Sequence, residues 1–483
     1  MNEVLLYIST HFFTLLLLGL VFVFGLLFLF EIKKSQWVIY FLLVWFPLES
    51  LILRYTPLDY YAVVKYIPEI VLYGAFVVSW VQHIRREKKW WPGSVVNKWL
   101  LGFIAVSFVS WILNQYHFTI WVLGLRQLFR FVLAFFLVMM QNYSEEEKKN
   151  ILKIGLGMVI LEAVLGIIQY LVRGYLDQYL FFSEDVVLGG GARIGAIEQF
   201  WAPGSRIFAT MGRYDRLGSF LALGLTAFFP WYYILKKEKQ RLWFWIFFVA
   251  IAGAIIFTFS RAAMLSATVG IVMIGLWLMR DVRVKKVLMV LAVVVAVYLS
   301  AFALIQGNVN NIIDRPSQPL SERLLEAVSL RSWKESYEGY GRIFFIVNTP
   351  LVVVKNYPFF GVGMGNYGGG VAATLFNTIF YDRLHLPFGI QNIYGQIDNN
   401  WFSIWGEAGT LGLLCWIFIF IAIFKSSFEI SGKARNAEKR TMARGLLGAV
   451  MVVVVLGFFA PYFEFRALMF YFWTLAGVVL SEL

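Results

Sequence analysis

Arginines crowd two long stretches of this chain that hold no apolar run of membrane-spanning length. Segments 173–216 and 306–400, with the turn before residue 261, carry Arg173, Arg193, Arg206, Arg213, Arg216, Arg261, Arg315, Arg323, Arg331, Arg342 and Arg383, against only Lys334 and Lys355. A guanidinium is a planar fork that grips phosphate or carboxylate bidentately, whereas a lysine ammonium is a point charge. The bias predicts a pocket for an anionic group, against the plainer reading that each arginine pairs a nearby carboxylate or snorkels to a lipid phosphate. The other chemistry-bearing stretch runs from Pro358 to Gly412: PFFGVGMGNYGGG, then Arg383, His385 and Asp398, then DNNWFSIWGEAGTLG. There a water-compatible segment feeds directly into an apolar helix, so its polar groups must sit where that helix meets the membrane surface. Asp398 and Asn399 stand at the mouth of this helix, where a carboxylate can take part in proton transfer or cap the first turn.

Other motifs are excluded or demoted. Residues 363–368, GMGNYG, formally match GxGxxG, but a dinucleotide fingerprint needs a strand before it and a βαβ unit around it. Gly363 and Gly365 instead predict a tight backbone with φ > 0, serving as a plain turn or as a nest of N–H groups for an anion. The chain has no P-loop and no HExxH, and His11, His83, His117 and His385 are scattered. No metal site and no cofactor is expected. The single cysteine, Cys415, lies within an apolar run, so no intrachain disulfide can brace the loops.

The elements that must position these groups are membrane spans. Hydrophobic residues make up 60% of the chain and aromatic residues 18%, a mixture that belongs to the membrane class. Apolar runs near 8–30, 37–53, 63–82, 99–114, 119–141, 151–172, 217–235, 242–259, 262–279, 287–305, 401–424, 444–462 and 466–481 are each close to the length that crosses ~30 Å of hydrocarbon. The reading is an all-α polytopic membrane protein of about 12–13 transmembrane helices, divided into N-terminal spans 1–172, a first long loop 173–216, central spans 217–305, a large loop subdomain 306–400 and C-terminal spans 401–483. The net charge of +13 does not signal nucleic acid. Its lysines fall in short connections such as Lys88-Lys89, Lys148-Lys149, Lys236-Lys237-Lys239 and Lys285-Lys286, where the positive-inside rule expects them. Setting those connections inside puts both long loops outside, the N-terminus outside and the C-terminus inside. Within 306–400, apolar residues after Ser321 and from Ile343 to Val354 predict short helices at the interface.

Ionisable residues inside the runs, namely Glu49, Lys65, Glu69, Arg126, Arg130, Glu162 and Glu407, must find partners or water. Arg126 and Arg130 share one helix face and could pair Glu69, Glu162 or Glu407 or serve a substrate. Glu407 is expected to partner a buried arginine. Gly406, Gly409 and Gly412 are expected to form a helix-packing seam.

Taken together, these residues resemble the O-antigen ligase and O-antigen/exopolysaccharide polymerase superfamily, over about residues 120–480. Asn356 to Tyr367, NYPFFGVGMGNY, is similar to that family's "PlfGvGxGnf", and Asp398-Asn399 with Glu407-Ala408-Gly409-Thr410-Leu411-Gly412 to its "HN…ExGxxG". Phe257 to Ala263, FTFSRAA, is similar to "tgSRga"; Arg206 with Ala209-Thr210 resembles "R…gtf"; and Arg342 stands where the family often has an arginine. One departure is that Asp398 occupies the position where the family's ligases usually place a histidine, which favours the polymerase branch. His385 matches no family motif.

The resemblance implies a glycosyltransferase C-type fold at the outer face of the bacterial cytoplasmic membrane. It implies transfer of glycan from a polyprenyl-diphosphate-linked donor to a lipid-linked acceptor without metal, alongside membrane lipids and a chain-length regulator protein as partners. On this reading Arg206, Arg213, Arg261, Arg342 and Arg383 would bind the diphosphate, Asp398 would act as base or orient the acceptor hydroxyl with Asn399 positioning it, and His385 would be the next catalytic candidate. The alternatives are a ligase onto lipid A core, a transporter or flippase drawing on the buried charges, and a non-catalytic scaffold.

Overall fold

In hydrocarbon a backbone can satisfy its N–H and C=O groups only within itself, so each long apolar run is driven to helix. The computed structural model describes residues 36–180, 187–188, 191–192, 204–306, 309–312 and 318–481. The expected span 8–30, with His11, Arg193 and Arg315, lies outside the described residues. The long helices are α1 (Gln36–Arg54), α2 (Leu58–Glu87), α3 (Val95–Asn114), α4 (Phe118–Phe129), α5 (Val132–Gln141), α6 (Glu145–Leu171), α7 (Tyr214–Phe228), α8 (Glu238–Phe257), α9 (Arg261–Val272) and α10 (Val282–Gln306). After the long segment that follows α10 come α11 (Asn400–Lys433), α12 (Ala437–Leu456) and α13 (Arg466–Leu480). Among the described residues, nine helices are long and apolar enough to cross a membrane, and the pair α4 and α5, bent by 60°, makes a tenth if counted as one span. This is an all-α polytopic membrane protein. Helix α12 falls short of that test because its first turns carry Glu438, Lys439, Arg440 and Arg444, and α13 is a shorter apolar helix of 15 residues. A two-residue antiparallel ladder, Val187–Leu188 with Gly191–Ala192, is a minor exception to the helical pattern.

Ion pairs close the bundle where α4 breaks into α5. Glu69 on α2 accepts from Arg126, from Arg130 at 3.2 Å and from Arg466 at 3.1 Å, and Arg466 also pairs Glu49. Arg130, at the break itself, donates to the Glu464 carbonyl at 2.8 Å. Of the three partners expected for Arg126 and Arg130, Glu69 takes both. Glu162 instead accepts from the backbone and hydroxyl of Thr210.

Glu407 requires a correction: among the described residues it pairs no arginine. Its Oε1 accepts from the Gly365 N–H at 2.9 Å and the Tyr367 N–H at 3.3 Å. The glycine-rich loop is thus a nest filled by a side-chain acceptor of the same protein. The expected glycine seam is corrected too, because Gly409 has φ +66° and interrupts α11. At that break the 358–363 segment replaces the lost helical bonds. Val362 and Gly363 donate to the carbonyls of Gly406 and Glu407 at 2.9 and 2.8 Å, while Thr410 and Leu411 donate to those of Pro358 and Phe359 at 2.9 and 3.2 Å. Non-helical backbone is tolerated at membrane depth only when such partners exist. Side chains are excluded from this clasp: a Cβ on Gly361 would sit 2.4 Å from the Glu407 carbonyl oxygen, and one on Gly363 2.2 Å from the Tyr116 ring.

The short helices Leu320–Leu325, Leu330–Glu338 and Arg342–Asn348 lie in the long segment between α10 and α11. Its own small core packs Phe345, Val353, Tyr367, Phe380, Tyr381 and Ile397.

Candidate functional site

The clasp fixes the first turn of α11, and that turn presents Asp398. Asn399 is the cap, its side chain accepting from the Phe402 N–H at 3.2 Å. Asn400 is tied at both ends: its N–H donates to Gly457 at 2.8 Å, and its Oδ1 accepts from Phe463 at 2.7 Å. Capping, one of the two roles the sequence left open for Asp398, therefore belongs to its neighbour. Asp398 is held instead by Arg342, whose Nε donates to its carbonyl oxygen at 3.1 Å while an Nη lies 3.8 Å from its carboxylate. The Arg342 guanidinium also faces the Phe459 ring at 5.6 Å.

A second set of charges near Asp398 comes from the start of α7. Arg213 and Asp215 form a two-pronged pair at 3.0 and 3.1 Å, and Arg213 and Asp215 are electrostatic neighbours of Asp398. These groups remain open to water: the side chains of Arg213, Arg342 and Asp398 are 44%, 34% and 41% accessible. Enough protein still surrounds Asp398 that burial is the largest influence on its carboxyl and pushes its pKa up; Arg342 and Arg213 pull it back down, and Asp215 adds to the rise. Tyr462 is an electrostatic neighbour of Asp215, Tyr214, Arg213 and Arg342, and burial, reinforced by Asp215 and Tyr214, lifts its hydroxyl well above the usual range. It remains a neutral O–H donor.

The remaining sequence-derived arginines fall into three settings. Arg206 is 2% exposed, and its guanidinium lies 4.6 Å from the Tyr214 ring centroid. Arg261 bonds Glu326 at 3.1 Å and the Arg323 carbonyl at 3.3 Å. Arg323 bonds the same Glu326 at 2.9 Å and is an electrostatic neighbour of Tyr214. Arg383, by contrast, is exposed, over the ring of Phe380 at 4.8 Å, and His385 is exposed on the turn that follows. No described contact links either to Asp398. The arginines that act on the Asp398 carboxyl are Arg342 and Arg213. Gly363 and Gly365 lie in the clasp, behind the recess.

Sequence reasoning passed over Asp215, Tyr214 and Tyr462. A signal was present for the first two, because Arg213-Tyr214-Asp215-Arg216 is a run of four polar residues opening an apolar helix. Tyr462 gave none, being one aromatic among many. Among the described residues no group of three or more His, Cys, Asp or Glu side chains is placed to hold a metal ion.

Residues 245–417 match a family model described as O-antigen ligase. That stretch of this polytopic membrane protein is similar to the O-antigen ligase family. Members of that family are membrane glycosyltransferase-like enzymes, ligases and polymerases. The O-antigen ligase-like region begins within α8 and ends within α11, so it contains Arg261, Arg342, Gly363, Gly365, Arg383, His385, Asp398 and Asn399 and leaves Arg206 and Arg213 outside. No curated protein matches the chain.

Proposed function

We propose that this protein polymerises lipid-linked oligosaccharide repeat units, taking glycan from a polyprenyl-diphosphate donor at the outer face of the bacterial cytoplasmic membrane. The observation that carries the reading is the water-open recess in which the Asp398 carboxylate sits between Arg342 and the Arg213–Asp215 pair. An acceptor hydroxyl oxygen attacks the donor's anomeric carbon. The bond from that carbon to the diphosphate breaks, its electron pair leaves with the diphosphate, and Asp398 takes the hydroxyl proton. Arginines set round the recess stabilise the charge that grows on the leaving group, a task a divalent ion performs in other enzymes. The donor's polyprenyl tail remains in the bilayer, and the reading carries with it a glycosyltransferase C-type fold and a chain-length regulator protein as partner. Arg206, Arg213, Arg261 and Arg342 are the proposed diphosphate ligands. Arg383 and His385, exposed and away from Asp398, are weaker candidates for the recess.

A second reading is ligation onto lipid A core, favoured by the match to a family described as O-antigen ligase. The two are separated by giving the purified protein in detergent a lipid-linked donor with either acceptor. Ladder formation on the lipid-linked acceptor alone supports polymerisation, and transfer only to lipid A core overturns it. Detergent leaves no compartments, so product formed there also disposes of the transporter and flippase readings.

A further inference from the structure

The outer recess gathers at the first turns of α7 and α11; a second cavity opens at the other end of α7. It measures about 440 Å³ and lies between α1, α6, α7, α12 and α13, a size within the roughly 300–1,000 Å³ of sites that hold organic ligands. Its wall is largely apolar, with Leu43, Val159, Leu223 and Tyr471 among the residues lining it. Two features interrupt that wall. Lys149 and Lys153 stand one turn apart on one face of α6; Lys149 pairs Glu438 at 2.5 Å, and Lys153 is exposed. Thr474, 2% exposed, also lines the cavity, and its hydroxyl has no hydrogen-bond partner there, although a helical threonine can bond a carbonyl one turn back.

We propose that this cavity binds an anionic glycerophospholipid. One acyl chain fills the apolar volume, the phosphate meets Lys149 and Lys153, and the Thr474 hydroxyl donates to an ester carbonyl. The two lysines lie about 6 and 12 Å along α6 from its first residue, taking 1.5 Å per residue, so their long stems reach the headgroup level. The charge of the rim selects the class of lipid. Glu438 is engaged by Lys149, which leaves Lys153 as the outward cation. An anionic headgroup gains both lysines, whereas a zwitterionic one brings its own ammonium against them.

The test uses the full-length protein in phosphatidylcholine nanodiscs with a trace of phosphatidylglycerol carrying a photoreactive acyl chain. Label is expected on peptides containing residues 149–159 and 471–475. Unlabelled phosphatidylglycerol should reduce it at least fivefold, while added phosphatidylcholine or inorganic phosphate leaves it unchanged. Lys153→Gln should weaken protection by phosphatidylglycerol severalfold. Gly155→Leu, whose Cβ would lie 3.5 Å from the Tyr471 ring, should fill the space and abolish labelling. Equal competition by phosphatidylcholine, labelling unchanged in Gly155→Leu, or no label at these peptides would overturn the proposal. Should Gly155→Leu fail to fold, Lys153→Gln and the competition between lipids decide alone.

Discussion

At the scale of single residues, Asp398 and Asn399 divide two tasks that one residue often combines. Asn399 satisfies the helix, so Asp398 is available for substrate. Asp398→Asn should therefore leave the protein folded and lower glycan transfer by about 10²–10⁴-fold, the usual contribution of a positioned base. Steady-state rates together with an unchanged melting curve are the check, and parent activity in the variant would remove Asp398 from the chemistry. The pH profile follows from the same burial. A base must be ionised, and the Asp398 pKa is pushed above the usual aspartate value of ~3.9, so activity is present above the folded pKa and lost as pH falls through it. The acidic limb of the rate profile should lie above the ordinary aspartate range. Stability has the opposite sign: a raised folded pKa favours the neutral carboxyl in the native state, a contribution full below the unfolded value and lost as pH rises through the folded one. An acidic limb at the ordinary value would remove burial from the account.

At the scale of elements, the site rests on the interlock between the 358–363 segment and α11. Glu407 holds the glycine loop by accepting two backbone N–H groups, and a side chain with no acceptor would strand both donors. Glu407→Ala is expected to destabilise the fold by about 1–3 kcal/mol per abandoned N–H, whereas Glu407→Gln retains an acceptor oxygen and should lose less. Thermal unfolding of the purified variants measures this, and equal melting of the two would discount the nest. These contacts also show where the sequence was readable. The glycines of GVGMG announced a backbone with φ > 0, and Glu407 announced a buried charge in need of a partner; both follow from local chemistry. That each is the other's partner depends on the return of the chain some 40 residues later, which no period or spacing encodes. Gly409 misled for a related reason, because a small residue in an apolar run reads as a packing contact unless the segment that occupies the break is already known. The spans themselves were legible because length and apolarity alone decide them. The 60° bend between α4 and α5 was not, since no proline or glycine marks Arg130 or Phe131.

At the scale of the whole molecule, the two ends of the bundle differ in the charges they set beside open space. Arg342 and Arg213 flank Asp398 at one end, Lys149 and Lys153 rim the cavity at the other, and the pairs of Glu69 with Arg126, Arg130 and Arg466 join helices of the bundle. If arginines supply the stabilisation of the leaving diphosphate, transfer should continue in excess EDTA at an undiminished rate. Loss of ladder formation on chelation, restored by magnesium or manganese, would reassign that task to a metal.

The clasp has one more consequence, for a chain that has been severed. The loop 364–397 leaves the clasp after Gly363 and leads back into α11, and the segments on either side of it are fastened to each other at the break in α11 by backbone bonds that run directly between them. A protease cutting once between Phe376 and Ile393, both of them exposed, would part the covalent chain without parting the molecule. The two fragments should co-purify, and the nicked protein should retain its recess. Synthesised as two separate pieces divided at the same place, the protein should assemble itself in the membrane.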